Sequence, residues 1–374
     1  MIDYSTFYRK FIDHLYSTPE AARTETVRLV TSRLPDLPLR LVGDKNEIPP
    51  GHQNRRTLFL TPGRGMKVGR CPGSRGHLCC NYLTVNLYEG CPIGCSYCIM
   101  QSYLNFLPVT VNVDRRPMIR EIERLAALNR KRTVRIGTGE TGDSLFYDPL
   151  CDLSRPLVEA CARLPNVVFE LKTKTHFVDH LLDIRRKGRA VIAFSLNPPG
   201  VSAAEEPFAS GLEERLEAAR RARAAGYRLA FHFDPILRVP GWENDYRATV
   251  ARLREFGARG DIVWISLGTM RYPGELKDRL ADRPYLFDEY VRCRDGKFRY
   301  LQPVRWRMYR RMLEWIREMT DAPVYLCMES PVVWKKVFGD IPGQIKDLCA
   351  IFSNVNLTNT HAAADTIEDI GGIS

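Results

Sequence analysis

The chain has 374 residues, of which 44% are hydrophobic, and its formal net charge is +11 with a pI near 9.2. This length allows one large domain or two modest ones, and no window is long and apolar enough to span a bilayer. The first residues lack the apolar core of a signal peptide, so we expect a cytoplasmic protein with no membrane partner. The positive charge suits a polyanion such as DNA or RNA, although an excess of surface arginine gives the same balance. In a reducing compartment the eleven cysteines are expected to be ligands or free thiols.

Residues 1–80 are predicted to form a helical and loop-rich extension. Apolar residues recur at helical spacing within residues 1–35: Phe7, Phe11, Ile12 and Leu15. A short strand is predicted at residues 55–60. Three cysteines and a histidine then precede the main motif: Cys71, His77, Cys79 and Cys80. They can bind a second metal, or they brace the loop that follows or remain free thiols.

Three cysteines with the spacing C-x3-C-x2-C, Cys91, Cys95 and Cys98, lie on a loop after an apolar run at residues 82–88. Structural zinc takes four ligands, and the next histidine along the chain is His176. Three thiolates can instead hold three irons of a four-iron cluster and leave the fourth iron open to a non-protein ligand. Zinc and a disulfide are the alternatives, and a disulfide would leave one of the three cysteines unpaired.

Downstream of this motif, apolar strands alternate with amphipathic helices at the spacing of βαβ units. Strands are predicted at residues 110–113, 133–136, 167–172, 190–196, 229–233 and 262–267. Helices are predicted at residues 98–107, 117–129, 156–164, 176–187, 212–225 and 244–256. The alternation predicts a parallel sheet, and it suits both an incomplete TIM-like barrel and a doubly wound sheet.

Polar residues follow four of these strands, at the sheet edge where parallel α/β folds bind ligands. In chain order they are Glu140, Lys172, Lys174, Ser195, Asn197, His232 and Asp234. The glycines before Glu140 permit close approach of a ligand, and a carboxylate pairs with an ammonium group. An ordinary turn, a solvated lysine or a structural histidine–aspartate pair would also account for these residues.

Basic and aromatic residues interleave in the segment 297–317. Arginines neutralise phosphates and aromatic rings stack on bases, so the segment is predicted to contact nucleic acid. The alternative is an amphipathic helix whose aromatic residues face the core, which suits Met312 and Trp315. Pro303 favours a loop or hairpin for the residues around it. The residues after 354 are predicted to fray.

The cysteine motif resembles that of the radical S-adenosylmethionine (SAM) superfamily, and the longer sequence around it resembles the spore photoproduct lyase family. Further blocks of similarity lie at residues 170–174, 194–197, 225–227, 235–236 and 241–243. The resemblance implies an α/β fold, a partial (βα)6 TIM-like barrel of parallel strands at residues 81–290. An N-terminal helical extension at 1–80 and a substrate-contacting C-terminal extension at 291–374 would flank it.

The resemblance also implies a radical SAM lyase that cleaves SAM reductively and uses the 5′-deoxyadenosyl radical to abstract hydrogen from a DNA pyrimidine lesion. Its cofactors would be SAM and a 4Fe-4S cluster on the three motif cysteines. Its partners would be DNA and an electron donor of the flavodoxin or ferredoxin type. The residues assigned to SAM are Glu140, Lys174, Ser195 and Asn197, and those assigned to catalysis are Tyr97 and Glu140. The residues assigned to the substrate are Arg299, Tyr300, Arg305, Trp306 and Arg307.

Two features depart from the family pattern. The family carries a cysteine hydrogen donor shortly after the strand equivalent to residues 133–136, but residues 137–150 contain no cysteine. The tyrosine that directly follows the third cluster cysteine in the family is Ile99 here, whereas Tyr97 is kept. These differences leave open a radical SAM enzyme for an RNA or small-molecule substrate. A zinc-stabilised nucleic-acid-binding protein is the non-catalytic alternative.

Overall fold

The computed structural model describes residues 4–63, 68–71, 73, 76–257, 260–280 and 282–339. Within these residues the α-helices are α1 (Tyr4–Tyr8), α2 (Glu25–Arg33), α3 (Arg116–Leu128), α4 (Asp148–Cys151), α5 (Ser154–Cys161), α6 (Pro199–Glu205), α7 (Leu212–Ala224), α8 (Trp242–Ala251), α9 (Arg254–Gly257), α10 (Gly274–Arg279), α11 (Gln302–Arg317) and α12 (Pro331–Phe338). The strands are β1 (His14–Ser17), β2 (Leu39–Leu41), β3 (Thr57–Thr61), β4 (Val68–Arg70), β5 (Leu83–Val85), β6 (Tyr88–Glu89), β7 (Val109–Asn112), β8 (Val134–Thr138), β9 (Val167–Thr173), β10 (Ala190–Ser195), β11 (Arg228–Ile236), β12 (Ile262–Thr269), β13 (Arg271–Pro273), β14 (Tyr290–Arg292), β15 (Lys297–Tyr300) and β16 (Val324–Leu326). None of the described helices is long and apolar enough to cross a bilayer.

The largest sheet has eight strands in the order β16-β12-β11-β10-β9-β8-β5-β4, and all neighbours pair in parallel except β4 and β5. The sheet curls until its edges meet, because the backbone N–H of Leu78, after β4, donates to the carbonyl of Glu329, after β16, at 2.8 Å. The predicted partial barrel of parallel strands is therefore confirmed. Two strands differ from the prediction: the strand predicted at residues 110–113 is β7, which lies outside the barrel in a second sheet, and β16 is a parallel barrel strand that the sequence pattern did not predict.

The barrel strands are buried on both faces because helices cover the outside and side chains fill the inside. All six residues of β10 and all eight of β12 are buried. In α3, Met118, Ile122 and Ala126 recur at intervals of four and bury one face of the helix, as the prediction at residues 117–129 expected. The spacing of apolar residues in these segments thus matches the residues that the fold buries.

A second sheet, in the order β2-β1-β3-β7-β6, contains most of the N-terminal strands. The predicted helix over residues 1–35 is only partly correct, because β1 interrupts it between α1 and α2. The reason is tertiary: β1 pairs in parallel with both β2 and β3, strands that lie far from it along the chain. Leu15, which the helical pattern included, is fully buried in this sheet.

The predicted helix at residues 176–187 is wrong, since the described structure holds only a 3-10 turn at Asp179–Leu181 there. Groups from distant parts of the chain form hydrogen bonds with the backbone and side chains of this segment. The hydroxyl of Tyr227 donates to the carbonyl of Leu181 at 2.9 Å, and His180 Nε2 lies 2.7 Å from Asp148 Oδ2. Likewise the predicted helix at residues 98–107 reduces to a 3-10 turn at Ile99–Ser102.

The C-terminal region contains a three-stranded antiparallel sheet in the order β13-β15-β14, then α11, β16 and α12. Pro303 lies in the first turn of α11, where its missing N–H costs nothing, rather than in a loop or hairpin. Strand pairing crosses both predicted boundaries, since β3 pairs with β7 and β12 pairs with β16. The tail after residue 354 lies outside the described residues.

Candidate active site

A cavity of about 310 Å³ opens where the barrel strands end. Residues that end or follow β8 to β12 and β16 line it, together with the cysteine loop and the segment between β4 and β5. The lining residues central to its chemistry are Cys91, Cys95, Cys98, Tyr97, Glu140, Lys172, Lys174, Ser195, His232, Asp234, Arg271 and Cys327. Because parallel strands present their carboxyl ends at one edge, one cavity collects residues from segments far apart in sequence.

The cysteine loop is held to the barrel by its backbone. Gln101 Nε2 donates to the carbonyls of Cys95 at 2.8 Å and Ser96 at 3.0 Å, and the N–H of Ser96 donates to the carbonyl of Glu205 at 2.9 Å. These bonds keep the three motif cysteines on one wall of the cavity. The loop therefore presents its thiols to whatever occupies the cavity.

Burial governs the protonation of these thiols. It raises the pKa of Cys95 to about 12, with a smaller opposing effect from the Lys174 ammonium, and it raises the pKa of Cys91 and Cys98 as well. A metal would displace the protons on binding. Among the described residues no three metal-binding side chains converge on a point, but three thiols on one loop at a cavity wall are the donor set for a three-cysteine cluster.

Lys174 and Ser195 lie together beside this loop, as the sequence predicted. Lys174 Nζ donates to Ser195 Oγ at 2.9 Å and to Glu206 Oε1 at 2.8 Å. Sequence reasoning missed Glu206, because a glutamate after a short helix reads as a surface residue. Burial raises the pKa of Glu206, but Lys174 and Arg215 outweigh it and hold that pKa far below its usual range.

Glu140 lines the same cavity and faces two groups, Lys172 Nζ at 3.8 Å and Cys71 Sγ at 3.9 Å. The backbone before it must be glycine: Gly139 has a φ of +94°, and a Cβ there would lie 2.7 Å from Ser144 Oγ. In this structure the atoms that lie closest to Gly139 therefore belong to the protein, among them Ser144 Oγ. Glu140, Lys174 and Ser195 share the cavity with the cysteine loop.

Asn197 does not line the cavity, which corrects its expected place beside a cofactor. It is fully buried, and its Nδ2 donates to Glu206 Oε1 at 2.8 Å while its Oδ1 accepts from the Tyr246 hydroxyl at 2.8 Å. The Tyr97 hydroxyl also donates to Glu206, and the Tyr97 ring lies along the cavity. Asn197 and Tyr97 therefore hold Glu206 in place from two sides.

The floor of the cavity carries a buried charge network that sequence reasoning found only in part. Arg135 Nη2 lies 2.7 Å from Glu170 Oε2, and Glu170 Oε1 lies 2.7 Å from His232 Nε2. Desolvation raises the pKa of Glu170, but Arg135 and His232 outweigh it and lower that pKa to about 2. His232 and Asp234 were possible partners of each other, but Asp234 pairs instead with Arg271 at 3.0 Å.

Three of the five predicted substrate contacts are buried away from solvent, which contradicts their assignment to a nucleic-acid backbone. Arg299 is 1% exposed and pairs with Asp295 at 2.7 Å, and Arg305 is 3% exposed and pairs with Glu329 at 2.9 Å. Tyr300 is fully buried and stacks on another tyrosine. Arg299 and Tyr300 lie on β15 of the antiparallel sheet, and Arg305 lies on the buried face of the amphipathic helix α11.

Trp306 and Arg307 lie on α11 outside the cavity lining. Trp306 is partly buried, and the guanidinium groups of Arg307 and Arg310 lie 5.6 and 4.9 Å from its ring centre. Arg307 itself is exposed. A contact of these two residues with a substrate remains a prediction, and it would have to be made outside the cavity.

Comparisons with known proteins agree with this architecture. The family model described as spore photoproduct lyase matches residues 76–262, which is half of the chain. Spore photoproduct lyase of Geobacillus sp. (strain Y412MC61) is 31% identical over 163 residues, which cover 43% of this chain and 48% of the relative. The enzyme of Bacillus subtilis (strain 168) is 30% identical over 165 residues, which cover 44% and 48%. The match therefore spans about half the length of these curated relatives.

Solved structures extend the likeness to most of the chain. A spore photoproduct lyase complexed with dinucleoside spore photoproduct superposes with a TM-score of 0.74 at 24% identity, over 84% of this chain and 99% of that one. A double mutant with bound AdoMet and dinucleoside spore photoproduct has the same score, identity and coverage. These structures show a shared fold. Together with the family model, which covers half of the sequence, they establish that the chain belongs to the spore photoproduct lyase family.

Proposed function

We propose that this protein is a radical SAM lyase that acts on a pyrimidine lesion in DNA. The observation that carries the proposal is the cavity, because the three-cysteine loop, Glu140, Lys174 and Ser195 all line it in a member of the spore photoproduct lyase family. A zinc-stabilised binding module would not need a cavity of about 310 Å³ lined by three thiols and several charged groups.

In this proposal Cys91, Cys95 and Cys98 hold a 4Fe-4S cluster, and Glu140, Lys174 and Ser195 hold SAM. When bound, these groups supply the reductive cleavage of SAM and the 5′-deoxyadenosyl radical. The carboxylate of Glu140 suits the amino group of SAM, and the ammonium of Lys174 suits its carboxylate. Lys174 would then share its charge between SAM and Glu206.

The protein's own contribution is placement and exclusion of water. Glu206 keeps a second cation, Arg215, at 2.6 Å, so it stays balanced if Lys174 turns toward a ligand. The Tyr97 hydroxyl, held by Glu206, keeps the Tyr97 ring at the cavity wall beside Cys95. We therefore assign Tyr97 a positioning role, and Glu140 direct contact with SAM.

DNA is the proposed partner because solved relatives of the same fold carry a dinucleoside lesion. With Arg299 and Arg305 buried, the phosphate contacts must come from elsewhere. Arg55 and Arg279 are exposed, line the cavity mouth and hydrogen-bond to Gln101 at 2.8 and 3.1 Å. A duplex lesion must be flipped out to reach the cavity, at a cost of a few kcal/mol that phosphate contacts can offset.

An external one-electron donor of the flavodoxin or ferredoxin type and a cytoplasmic location complete the proposal. The ten cysteines within the described residues form no disulfide with one another, which suits a reducing compartment. The cysteine loop lies near the cavity mouth, next to the exposed Arg55 and Arg279, where an acidic redox partner could approach.

An anaerobic assay tests this function. The reconstituted protein is incubated with SAM, a one-electron reductant and ultraviolet-irradiated DNA, and both 5′-deoxyadenosine and repaired thymine are quantified. We expect both products from the wild type and neither from the triple Cys-to-Ala variant at positions 91, 95 and 98. That variant should also lose its cluster iron and brown colour.

Three results would revise the proposal. Formation of 5′-deoxyadenosine without any repaired thymine would leave a radical SAM enzyme with an RNA or small-molecule substrate. Stoichiometric zinc with no SAM cleavage, or full iron in the triple variant, would overturn the cluster assignment itself. Cys161→Ala is the matched control, since this buried cysteine lies on α5 and does not line the cavity.

A further inference from the structure

The cavity holds a second group of thiols that the proposed function does not use. Cys71, Cys79 and Cys80 come from the segment between β4 and β5, and Cys327 directly follows β16. The hydrogen bond from the Leu78 N–H to the Glu329 carbonyl joins these two segments. Closure of the barrel therefore brings all four thiols to the cavity, although 247 or more positions separate Cys327 from the others in sequence.

The two thiol groups have different neighbours, so they lie in different parts of the cavity. In the cysteine loop, the charge of Asp143 shifts the pKa of Cys91. The charges of Lys174 and Glu206 shift the pKa of Cys95. The pKa of Cys327 is instead shifted by Asp234, Arg271 and Cys80. A ligand between the two groups would meet the cluster loop on one side and the second thiol group on the other.

The four thiols of the second group differ in the state of their S–H bonds. A hydrogen bond with Cys80 lowers the pKa of Cys79, which favours its thiolate form. The Cys71 thiol lies against Glu140 Oε1 at 3.9 Å. Burial raises the pKa of Cys327 well above its usual range, and among the described residues no hydrogen-bond partner contacts its sulfur. Cys327 therefore keeps an uncommitted S–H group.

The backbone of Cys327 is fixed toward the cavity. Arg271 Nη1 donates to the Cys327 carbonyl at 3.3 Å, and the same nitrogen lies 3.0 Å from Asp234 Oδ1. Gly268 makes room for this arrangement, because a Cβ there would lie 2.6 Å from the Cys327 carbonyl oxygen. The backbone that carries this cavity-lining cysteine is therefore held by an arginine that also lines the cavity, which favours a fixed position for a reacting group.

We propose that Cys327 is the catalytic hydrogen-atom donor that ends the reaction, an inference that rests on the proposed lyase function. After the lesion's carbon–carbon bond breaks, one fragment carries an unpaired electron on carbon. The S–H bond of Cys327 breaks and a C–H bond forms on that carbon, which leaves a sulfur-centred radical on Cys327. One electron from the donor that reduces the cluster and one proton from water restore the thiol.

Solvent deuterium tests this donor directly. Thiol hydrogens exchange with water, so repair of a dinucleoside lesion in D₂O by the cluster-loaded protein should place one deuterium in the repaired thymine. In Cys327→Ser we expect repaired, deuterated product to fall at least tenfold, while 5′-deoxyadenosine formation stays within twofold of wild type. Cys293→Ser is the control, because Cys293 lies between β14 and β15 and outside the cavity lining, and it should leave both products unchanged.

A second readout needs no turnover and no variant. The cluster-loaded wild type is labelled anaerobically with iodoacetamide at pH 9 until Cys327 of the lesion-free protein is measurably modified, because only the thiolate reacts, and modification of each cysteine is followed by mass spectrometry. A bound dinucleoside lesion should slow labelling of Cys327 at least tenfold and leave Cys293 unaffected.

Several outcomes would overturn the assignment. They are repaired, deuterated product from Cys327→Ser at the wild-type yield, loss of the label in Cys71→Ser instead, or equal labelling of Cys327 with and without the lesion. A wild type that makes neither 5′-deoxyadenosine nor repaired thymine would remove the proposed function itself, which is a different result from repair that does not depend on Cys327.

Discussion

At the residue scale, buried carboxylates organise the cavity. Glu206 accepts from Lys174, Arg215 and Asn197 and is itself inaccessible to solvent on its side chain. Glu170 plays the same part at the floor, where it joins Arg135 to His232. A buried ion pair is costly to break, because removal of one partner leaves an uncompensated charge in a low-dielectric surrounding.

Glu170 makes stability depend on pH in a defined direction. Its pKa falls from 4.5 to about 2 on folding, so its stabilising contribution is present above pH 4.5 and is lost as pH falls toward 2. We expect the unfolding free energy of Glu170→Gln to be about 3 kcal/mol lower than that of wild type at pH 7. This difference should become smaller as the pH falls below 4.5. Urea unfolding between pH 7 and pH 3 measures this.

The control for that series is Glu121→Gln, which removes one partner of an exposed ion pair with Arg124 on α3. Exposed pairs contribute little, so its unfolding free energy should stay close to wild type at every pH. A difference between Glu170→Gln and wild type that stayed constant from pH 7 to pH 3 would contradict the charged network.

At the element scale, α11 shows why interleaved arginines and aromatics are ambiguous. Its buried residues fall on one face of the helix: Arg305, Met308, Tyr309, Met312, Trp315 and Ile316. The exposed arginines lie on the other face, so the alternation in sequence is helical periodicity. The core interpretation of Met312 and Trp315 is confirmed, and it extends to Tyr309, whose hydroxyl accepts from the Thr269 N–H at 2.9 Å.

Adjacent positions on α11 should therefore respond differently to truncation. Met312 is fully buried, so Met312→Ala should cost about 2–5 kcal/mol of unfolding free energy through lost burial and a cavity. Arg311 is exposed, and Arg311→Ala should change it by no more than about 0.5 kcal/mol. Denaturant titration of both variants measures the contrast, and equal losses would mean that α11 is not docked on this face.

At the scale of the whole molecule, the net charge of +11 favours association with a polyanion but does not say where it binds. The fold limits where a polyanion can bind, because the arginines of β15 and of the first turn of α11 form internal ion pairs. Arg55 and Arg279 remain at the cavity mouth, and no carboxylate within the described residues forms an ion pair with either.

The salt dependence of DNA binding locates the contact. If Arg55 and Arg279 each meet a phosphate, the double change to Gln should flatten the slope of log K against log salt by about 1.8. The double change of Arg307 and Arg310 to Gln removes the same net charge from α11, outside the cavity lining, and should leave the slope near that of wild type. The reverse ranking would place the DNA on α11.

The sequence by itself determined the elements whose signals are local. The C-x3-C-x2-C spacing, the apolar strands and the amphipathic face of α3 are periodic or contiguous, so they can be predicted without knowing which segments pack beside them. The strand-end rule likewise predicted that Glu140, Lys174 and Ser195 would line one cavity, since parallel strands end at one edge.

Only the tertiary structure decided what depends on distant partners. β1 is a strand because β2 and β3 pair with it, and Arg299 is unavailable to a ligand because Asp295 neutralises it in a buried site. Asn197 follows the strand that ends with Ser195, yet it turns to Glu206 rather than into the cavity. Cys327 reaches the cavity only because β16 closes the barrel. Such placements arise from long-range pairing and burial, which no local pattern encodes.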